Sequence, residues 1–187
     1  RVDANQTLSV SLKNFNPNDT ESFLYLADQL KYVDDMGTFD PDTVDISKAV
    51  RLQRFDISAE EGTVNEHLEN LAVGNNTQLK IIKCDNCINL GSSTLQTLSL
   101  KGCKNLEYAS FKNTQLKGVE FADGGILKEV YFPSTITSLS FTNQEQIEVL
   151  DIQGFGEGDF QLKSINLDNV SEKVKETLTE YTRRLAK

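Results

Sequence analysis

One pattern recurs along most of the 187-residue chain: an apolar residue, two variable residues, a second apolar residue, one variable residue and a third apolar residue. Segments that fit it begin at Leu52, Leu68, Leu79, Leu95, Leu106, Leu116, Leu127, Ile136, Ile147 and Leu162. From Leu95 to Ile147 the segments follow one another at nearly constant spacing, so two of them make a unit of about 21 residues. A period of this length is typical of leucine-rich repeats.

Each segment ends in an alternation of apolar and variable residues, which predicts a short strand with one buried face. Between the segments lie Asn, Gly, Asp, Thr and Ser, which favour turns. Units of this kind become stable by stacking, because each buries the apolar edge of its neighbour. The sequence therefore predicts a leucine-rich-repeat-like solenoid of short parallel β-strands, with one or two strands in each repeat of about 21 residues.

The two ends of the chain differ from the repeats and predict capping helices. We expect an N-terminal segment over residues 1–43, a solenoid over 44–170 and a C-terminal helix over 171–187. The N-terminal helix would cover "DTESFLYLADQLKYV" (19–33), and Ser171 would cap the C-terminal one. Each helix could be a lid on the stack or a surface that binds a partner, and the first could also be an early, degenerate repeat.

The charge balance excludes two classes of partner. Lys and Arg number 19 against 28 Asp and Glu, which gives a net charge of −9. Binding to nucleic acid or to an anionic membrane surface needs clustered basic residues, so neither is expected. No apolar run approaches the roughly 20 residues that span a bilayer, so we predict no membrane insertion.

The chain contains three cysteines, and Cys84 and Cys87 have the CxxC spacing of metal and redox sites. An alignment of the repeats gives a different interpretation. It matches Cys84, Cys87 and Leu90 with Leu100, Cys103 and Leu106, and with Ile46, Ala49 and Leu52. These positions accept small or apolar side chains, which indicates core packing. Because three cysteines and the single histidine offer few zinc ligands, we predict no metal and no cofactor.

Two polar loops and the neighbouring residues Glu66 and His67 contain residue types that occur in functional sites. The Asp-rich run "DDMGTFDPDTVDIS" suggests a hard cation, but it lacks the central Gly and closing Glu of a calcium loop, so a solvated loop is favoured. "GFGEGDF" lacks the Lys and Ser/Thr of a phosphate-binding loop and indicates an exposed bulge. Glu66 and His67 have no nucleophile with an orienting base beside them. We therefore predict that the protein is not an enzyme.

The variable positions of the strands predict the binding face. Tyr108, Lys117 and Tyr131 occupy such positions and are expected to share one exposed strip of sheet. Phe155 and Phe160 in the inserted loop would either pack inward or provide a further contact.

Three stretches carry a resemblance to a known family: "LAVGNNTQLKIIKCDNCINL", "LSLKGCKNLEYASFKNTQLKGVEF" and "LKEVYFPSTITSLSFTNQ". They resemble the leucine-rich-repeat segments of large structural proteins encoded by bacteriophages of gut bacteria, over about residues 28–170. The loop at 154–161 and Cys84 depart from that pattern.

The resemblance implies a non-catalytic module of a tail, fibre or other virion-associated protein. It also implies a location in the virion or outside the cell, with other virion subunits as partners. The alternative is a secreted or surface adhesin of a bacterium that binds a host protein or a glycan. An enzyme that uses the Asp-rich loop or Glu66 and His67 is the third hypothesis.

Overall fold

The structure, a computed structural model, describes residues 9–11, 32–34, 43–47, 49–66, 68–154 and 161–185. Over these residues the chain forms thirteen short strands and one helix. In chain order they are β1 (Ser9–Ser11), β2 (Tyr32–Asp34), β3 (Thr43–Asp45), β4 (Arg54–Asp56), β5 (Asn70–Ala72), β6 (Ile81–Lys83), β7 (Thr97–Leu100), β8 (Tyr108–Ser110), β9 (Gly118–Phe121), β10 (Glu129–Phe132), β11 (Ser138–Thr142), β12 (Val149–Ile152), β13 (Ser164–Asp168) and α1 (Glu172–Leu185).

The strands form two rows, and after β2 the chain alternates between them. The first row is one seven-stranded sheet in the order β1-β2-β4-β6-β8-β10-β12. The second row consists of the pairs β3-β5, β7-β9 and β11-β13, in which β5 also contacts β7 and β9 also contacts β11. Every pairing between these strands is parallel. The predicted parallel arrangement of short strands is confirmed.

The spacing between paired strands varies along the chain and follows the spacing of the sequence segments. Tyr108 pairs with Glu129 and Thr97 with Gly118, and each of these partners follows one predicted repeat later in the chain. Arg54, however, pairs with Ile81, which follows considerably more than one predicted repeat later. The predicted repeat of about 21 residues therefore describes the pairings between β7 and β12, and a longer spacing precedes it, as the segment starts at Leu52 and Leu79 indicate. The extra residues lie between strands, where they add turn length without changing the register of the sheet.

The core lies between the two rows. Inward-facing residues of both rows belong to one apolar cluster. In the first row the register stacks Phe55, Ile82, Ala109, Val130 and Leu150, and none of them is more than 6% exposed. Burial of each large apolar side chain contributes about 1.5–3 kcal/mol, so this continuous ladder is a main source of stability.

Asparagines with positive φ form the turns at which strands end. Asn86, Asn113, Asn143 and Asn169 have φ between 54° and 64°, a conformation that asparagine tolerates better than other side chains. They also connect successive turns, because Asn113 Nδ2 donates to Asn86 Oδ1 at 2.7 Å and Asn169 Nδ2 donates to Asn143 Oδ1 at 3.0 Å. The sequence predicted turns where asparagines lie between the segments.

The C-terminal helix agrees with the prediction. The N–H of Val174 donates to the side-chain oxygen of Ser171 at 3.3 Å, which is an N-cap bond. Val174 and Leu178 are buried in the core, and the helix contacts β12 at the end of the first row. Its amphipathic sequence therefore covers one end of the apolar ladder.

The predicted N-terminal helix is wrong at its C-terminal end. Tyr32 and Val33 form strand β2, which pairs with β1 on one side and with β4 on the other. Aromatic and β-branched residues suit a paired strand, which explains why they join the sheet. Residues 19–31 lie outside the described residues. Strands β1 and β2 both fall within the predicted N-terminal segment.

Candidate functional site

Tyr108 and Tyr131 lie next to each other on the outer side of the first row. Tyr108 pairs in register with Glu129, and Ser110 pairs with Tyr131, so the tyrosines occupy diagonal positions on the neighbouring strands β8 and β10. Their ring centroids are 5.6 Å apart and their planes are tilted by 42°. Both side chains are half-buried. The expectation that these two residues share a strip of sheet is confirmed.

Tyr131 makes two polar contacts that orient its ring. Its hydroxyl donates to Glu129 Oε2 at 3.1 Å. The ammonium of Lys112 lies 4.5 Å from the centre of the ring, which is a cation–π contact. The ring face of Tyr131 therefore attracts a positive charge.

Carboxylates surround the two tyrosines. Asp85 accepts hydrogen bonds from the Ser110 hydroxyl at 2.6 Å and from the N–H of Lys112 at 2.9 Å, which fixes it beside β8. Burial raises the pKa of Tyr108, and the charge of Asp85 adds to the effect. Burial, followed by Glu129, raises the pKa of Tyr131 to about 12. Both phenols are therefore neutral at physiological pH.

Lys117 does not lie on this strip, and the prediction that it shares the strip with the tyrosines is wrong. It is exposed and directly precedes β9, which belongs to the second row. Its carbonyl oxygen accepts the N–H of Thr137 at 2.9 Å, next to β11 of the same row. Consecutive sequence segments alternate between the rows, so the segments that carry Tyr108 and Lys117 point to different sides of the protein.

The other loop residues that the sequence singled out lie either outside the described residues or at exposed positions. Phe155 and Phe160 lie outside the described residues, and so does His67. Glu66 is exposed. In the Asp-rich run, Asp45 Oδ1 accepts the N–H of Ser47 at 2.8 Å and so stabilises a turn.

The cysteines occupy core positions, as the alignment of the repeats predicts. Cys84, Cys87 and Cys103 are free thiols and all three are buried. Each aligned segment contains the same pair of turns: the N–H of Cys87 donates to Cys84 and that of Leu90 to Cys87, and equivalent bonds occur at 46–52 and 100–106. Burial raises the pKa of Cys87 to about 12 and that of Cys103 to about 11, which makes them poor nucleophiles.

The second row carries a concave surface that sequence reasoning missed. A depression of about 770 Å³ lies over β7, β9 and β11. Gly118 forms part of its lining, and a Cβ there would lie 3.1 Å from Thr97 Oγ1 and 3.3 Å from Ser138 Oγ. The depression is lined by Thr97, Lys101, Lys104, Gly118, Val119, Glu120, Phe121, Ala122, Asp123, Ser138, Ser140 and Thr142, and we name it the hydroxyl-lined depression after its Ser and Thr side chains. The alternating Ser and Thr of "TLSL" and "SLSFT" are the signal that could have found it.

The described part of the chain contains neither a membrane-spanning helix nor a cluster of metal ligands. No helix there is long and apolar enough to cross a membrane. Within the same ranges, no three side chains of the types His, Cys, Asp or Glu come together as metal ligands.

No family model matches the chain, and no curated protein or solved structure matches it either.

Proposed function

We propose that the protein is a non-catalytic binding and structural module, built as a leucine-rich-repeat-type solenoid. The observation that carries this proposal is the alternation of parallel strands between two rows around one continuous core. Stacked repeats of this kind expose long, regular faces on which side chains from successive strands lie side by side. Such faces suit contact with a large partner.

The outer side of the first row supports a binding role. Tyr108 and Tyr131 are half-buried aromatic residues with adjacent polar groups, the composition that is enriched where proteins bind one another. The core beneath them is closely packed, because Ala109 and Val130 are both fully buried. The tyrosines therefore stand on a rigid support.

The setting that we propose is a bacteriophage virion or a tail-associated protein, in which other virion subunits are the partners. This setting rests on the resemblance of the repeat segments. The alternative is a secreted or surface bacterial adhesin. It is favoured by the hydroxyl-lined depression, because serine and threonine hydroxyls together with Lys and Asp side chains can hydrogen-bond a glycan.

Binding of the fluorescently labelled chain to cells of a panel of gut bacteria tests the proposal, with heat-unfolded protein as the control. Saturable binding that depends on the strain is expected for a recognition module. Co-purification with phage particles in fixed stoichiometry is expected for an architectural one. The absence of both cell binding and co-purification with particles would refute the proposed function.

A further inference from the structure

The outer side of β10 and β12 places two carboxylates around one aromatic ring. In the first row Tyr131 pairs with Asp151 of β12, so their backbones are about 4.8 Å apart. Glu129 lies two residues before Tyr131 on the same face of β10, roughly 7 Å away along the strand. Within the described residues neither Glu129 nor Asp151 forms a salt bridge. We name Tyr108, Glu129, Tyr131 and Asp151 the tyrosine platform.

Lys112 shows what kind of group the ring face of Tyr131 attracts. Its ammonium lies 4.5 Å from the ring centre, although no salt bridge holds it there in the described part of the chain. The backbone of Lys112 is held by Asp85, which accepts its N–H, and by Asn86, whose N–H donates to its carbonyl oxygen, whereas its ammonium has the ring contact alone among the described residues. The chain's own cation therefore occupies a position that a partner's cation could take.

A guanidinium group fits this position better than the ammonium of Lys112. It is planar and can stack on the tyrosine ring, and its fork of N–H donors can pair with a carboxylate while it stacks. Glu129 and Asp151 offer such carboxylates on two sides of the ring. The net charge of −9 also attracts a basic partner over a longer distance.

We propose that the tyrosine platform binds an arginine side chain of a protein partner, which stacks on Tyr131 and displaces Lys112. This inference rests on the proposed function as a binding module and names the chemistry of its partner. A glycan is a poorer occupant, because the two rings are tilted by 42° and so present no single flat surface to a sugar ring.

The test measures binding of a blocked tetra-arginine peptide to the full chain by calorimetry at low salt, with tetralysine and a neutral maltohexaose as comparison probes. We expect tetra-arginine to bind more tightly than tetralysine, and any maltohexaose binding to be unaffected by Tyr131→Leu, because the hydroxyl-lined depression lies on the second row. Tyr131→Leu should weaken tetra-arginine binding about 5- to 30-fold, whereas Tyr131→Phe keeps the ring face and should retain most of it. Lys112→Gln should tighten binding severalfold, because it removes the competing cation.

Glu129→Gln should weaken binding, and Glu61→Gln is its matched control. Both changes remove one negative charge, but Glu61 lies in an exposed turn after β4, which is separated from β10 by β6 and β8 in the first row. Equal effects of the two changes would mean that the peptide responds only to net charge, and this would overturn the inference. Unchanged binding to Tyr131→Leu, with the circular dichroism spectrum intact, would overturn it too, and so would maltohexaose binding that Tyr131→Leu abolishes.

The cell-binding assay separates this inference from the proposed function. If wild-type protein binds cells and Tyr131→Leu binds them equally well, the module works through another face and only the arginine site is refuted. If tetra-arginine binds as expected but neither cells nor particles bind the chain, the arginine site stands and the proposed function fails.

Discussion

Asn76 is a buried polar residue that joins separate segments of the fold, and its replacement by alanine gives the sharpest test of the packing described above. Its side chain is fully buried. The amide nitrogen donates to the carbonyl oxygens of Ile46 at 2.9 Å and Ala49 at 2.8 Å, and the amide oxygen accepts the N–H of Gly74 at 2.9 Å. The change Asn76→Ala removes all three hydrogen bonds.

The expected loss of stability depends on which hydrogen bonds the three partners of Asn76 keep after the change. The carbonyl groups of Ile46 and Ala49 each keep one hydrogen bond, because they also accept the N–H groups of Ala49 and Leu52 within the adjacent turns. The N–H of Gly74 loses the only partner that it has among the described residues. Each lost bond costs about 1 kcal/mol and an orphaned donor somewhat more, so we expect the free energy of unfolding to fall by about 3–5 kcal/mol.

Asn105→Ala is the matched control for this prediction. Asn105 is exposed and donates one hydrogen bond, to the carbonyl oxygen of Thr77 at 2.7 Å. Water can replace that bond, so we expect a loss of at most about 1 kcal/mol. Urea unfolding followed by circular dichroism measures both variants, and an unchanged m-value would show that the same cooperative unit unfolds. Equal losses for the two variants would refute the argument from burial.

Three further predictions concern backbone strain, thiols and pH. Gly91→Ala should lower the free energy of unfolding by about 2–4 kcal/mol, because φ is 94° and a Cβ would lie 2.8 Å from backbone atoms of Gln115 and Leu116. Gly62 has a similar φ of 83° but open space around it, so we expect Gly62→Ala to lower the free energy of unfolding by only about 1 kcal/mol. Equal losses for the two variants in urea unfolding would contradict the steric explanation. Burial raises the pKa of the three thiols, Cys84, Cys87 and Cys103. At pH 8 they should therefore react slowly with a disulfide reagent until urea unfolds the chain. A fast reaction of the native protein would show that one of them is accessible. The pKa of Tyr131 is raised to about 12 in the folded state, so the unfolded chain loses this proton first and stability should fall as the pH rises from about 10 to 12. Urea unfolding across that range should show a smaller fall for Tyr131→Phe, and an identical fall would contradict the assignment.

The repeat pattern located the strands well because it reports buried positions directly. The segment "LQTLSL" contains β7, in which Leu98 and Leu100 are buried while Thr97 and Ser99 are exposed. The same pattern could not assign a segment to one row or the other. Inward-facing residues of both rows enter one shared core, so both rows need the same alternation, and Lys117 was placed on the wrong side for this reason.

Of the candidate site, only the positions of the two tyrosines could be predicted from the sequence. Tyr108 and Tyr131 lie at variable positions of strands, so the period of two placed them outward. Lys112 and Asp85 follow the ends of strands, where no period applies, and their contacts depend on turns whose lengths vary from unit to unit. The depression at Gly118 depends on contacts between three strands, which no single segment of sequence records.

The unequal spacing of the paired strands has a consequence for how such a chain can change over evolutionary time. A longer stretch of chain separates Arg54 from Ile81 than separates Glu129 from Val149, yet both stretches lead to the same parallel register in one sheet. Residues gained or lost between strands therefore alter a surface loop and leave the neighbouring pairings in place. New recognition elements can be inserted at these points one at a time, while the stack that carries them is inherited unchanged.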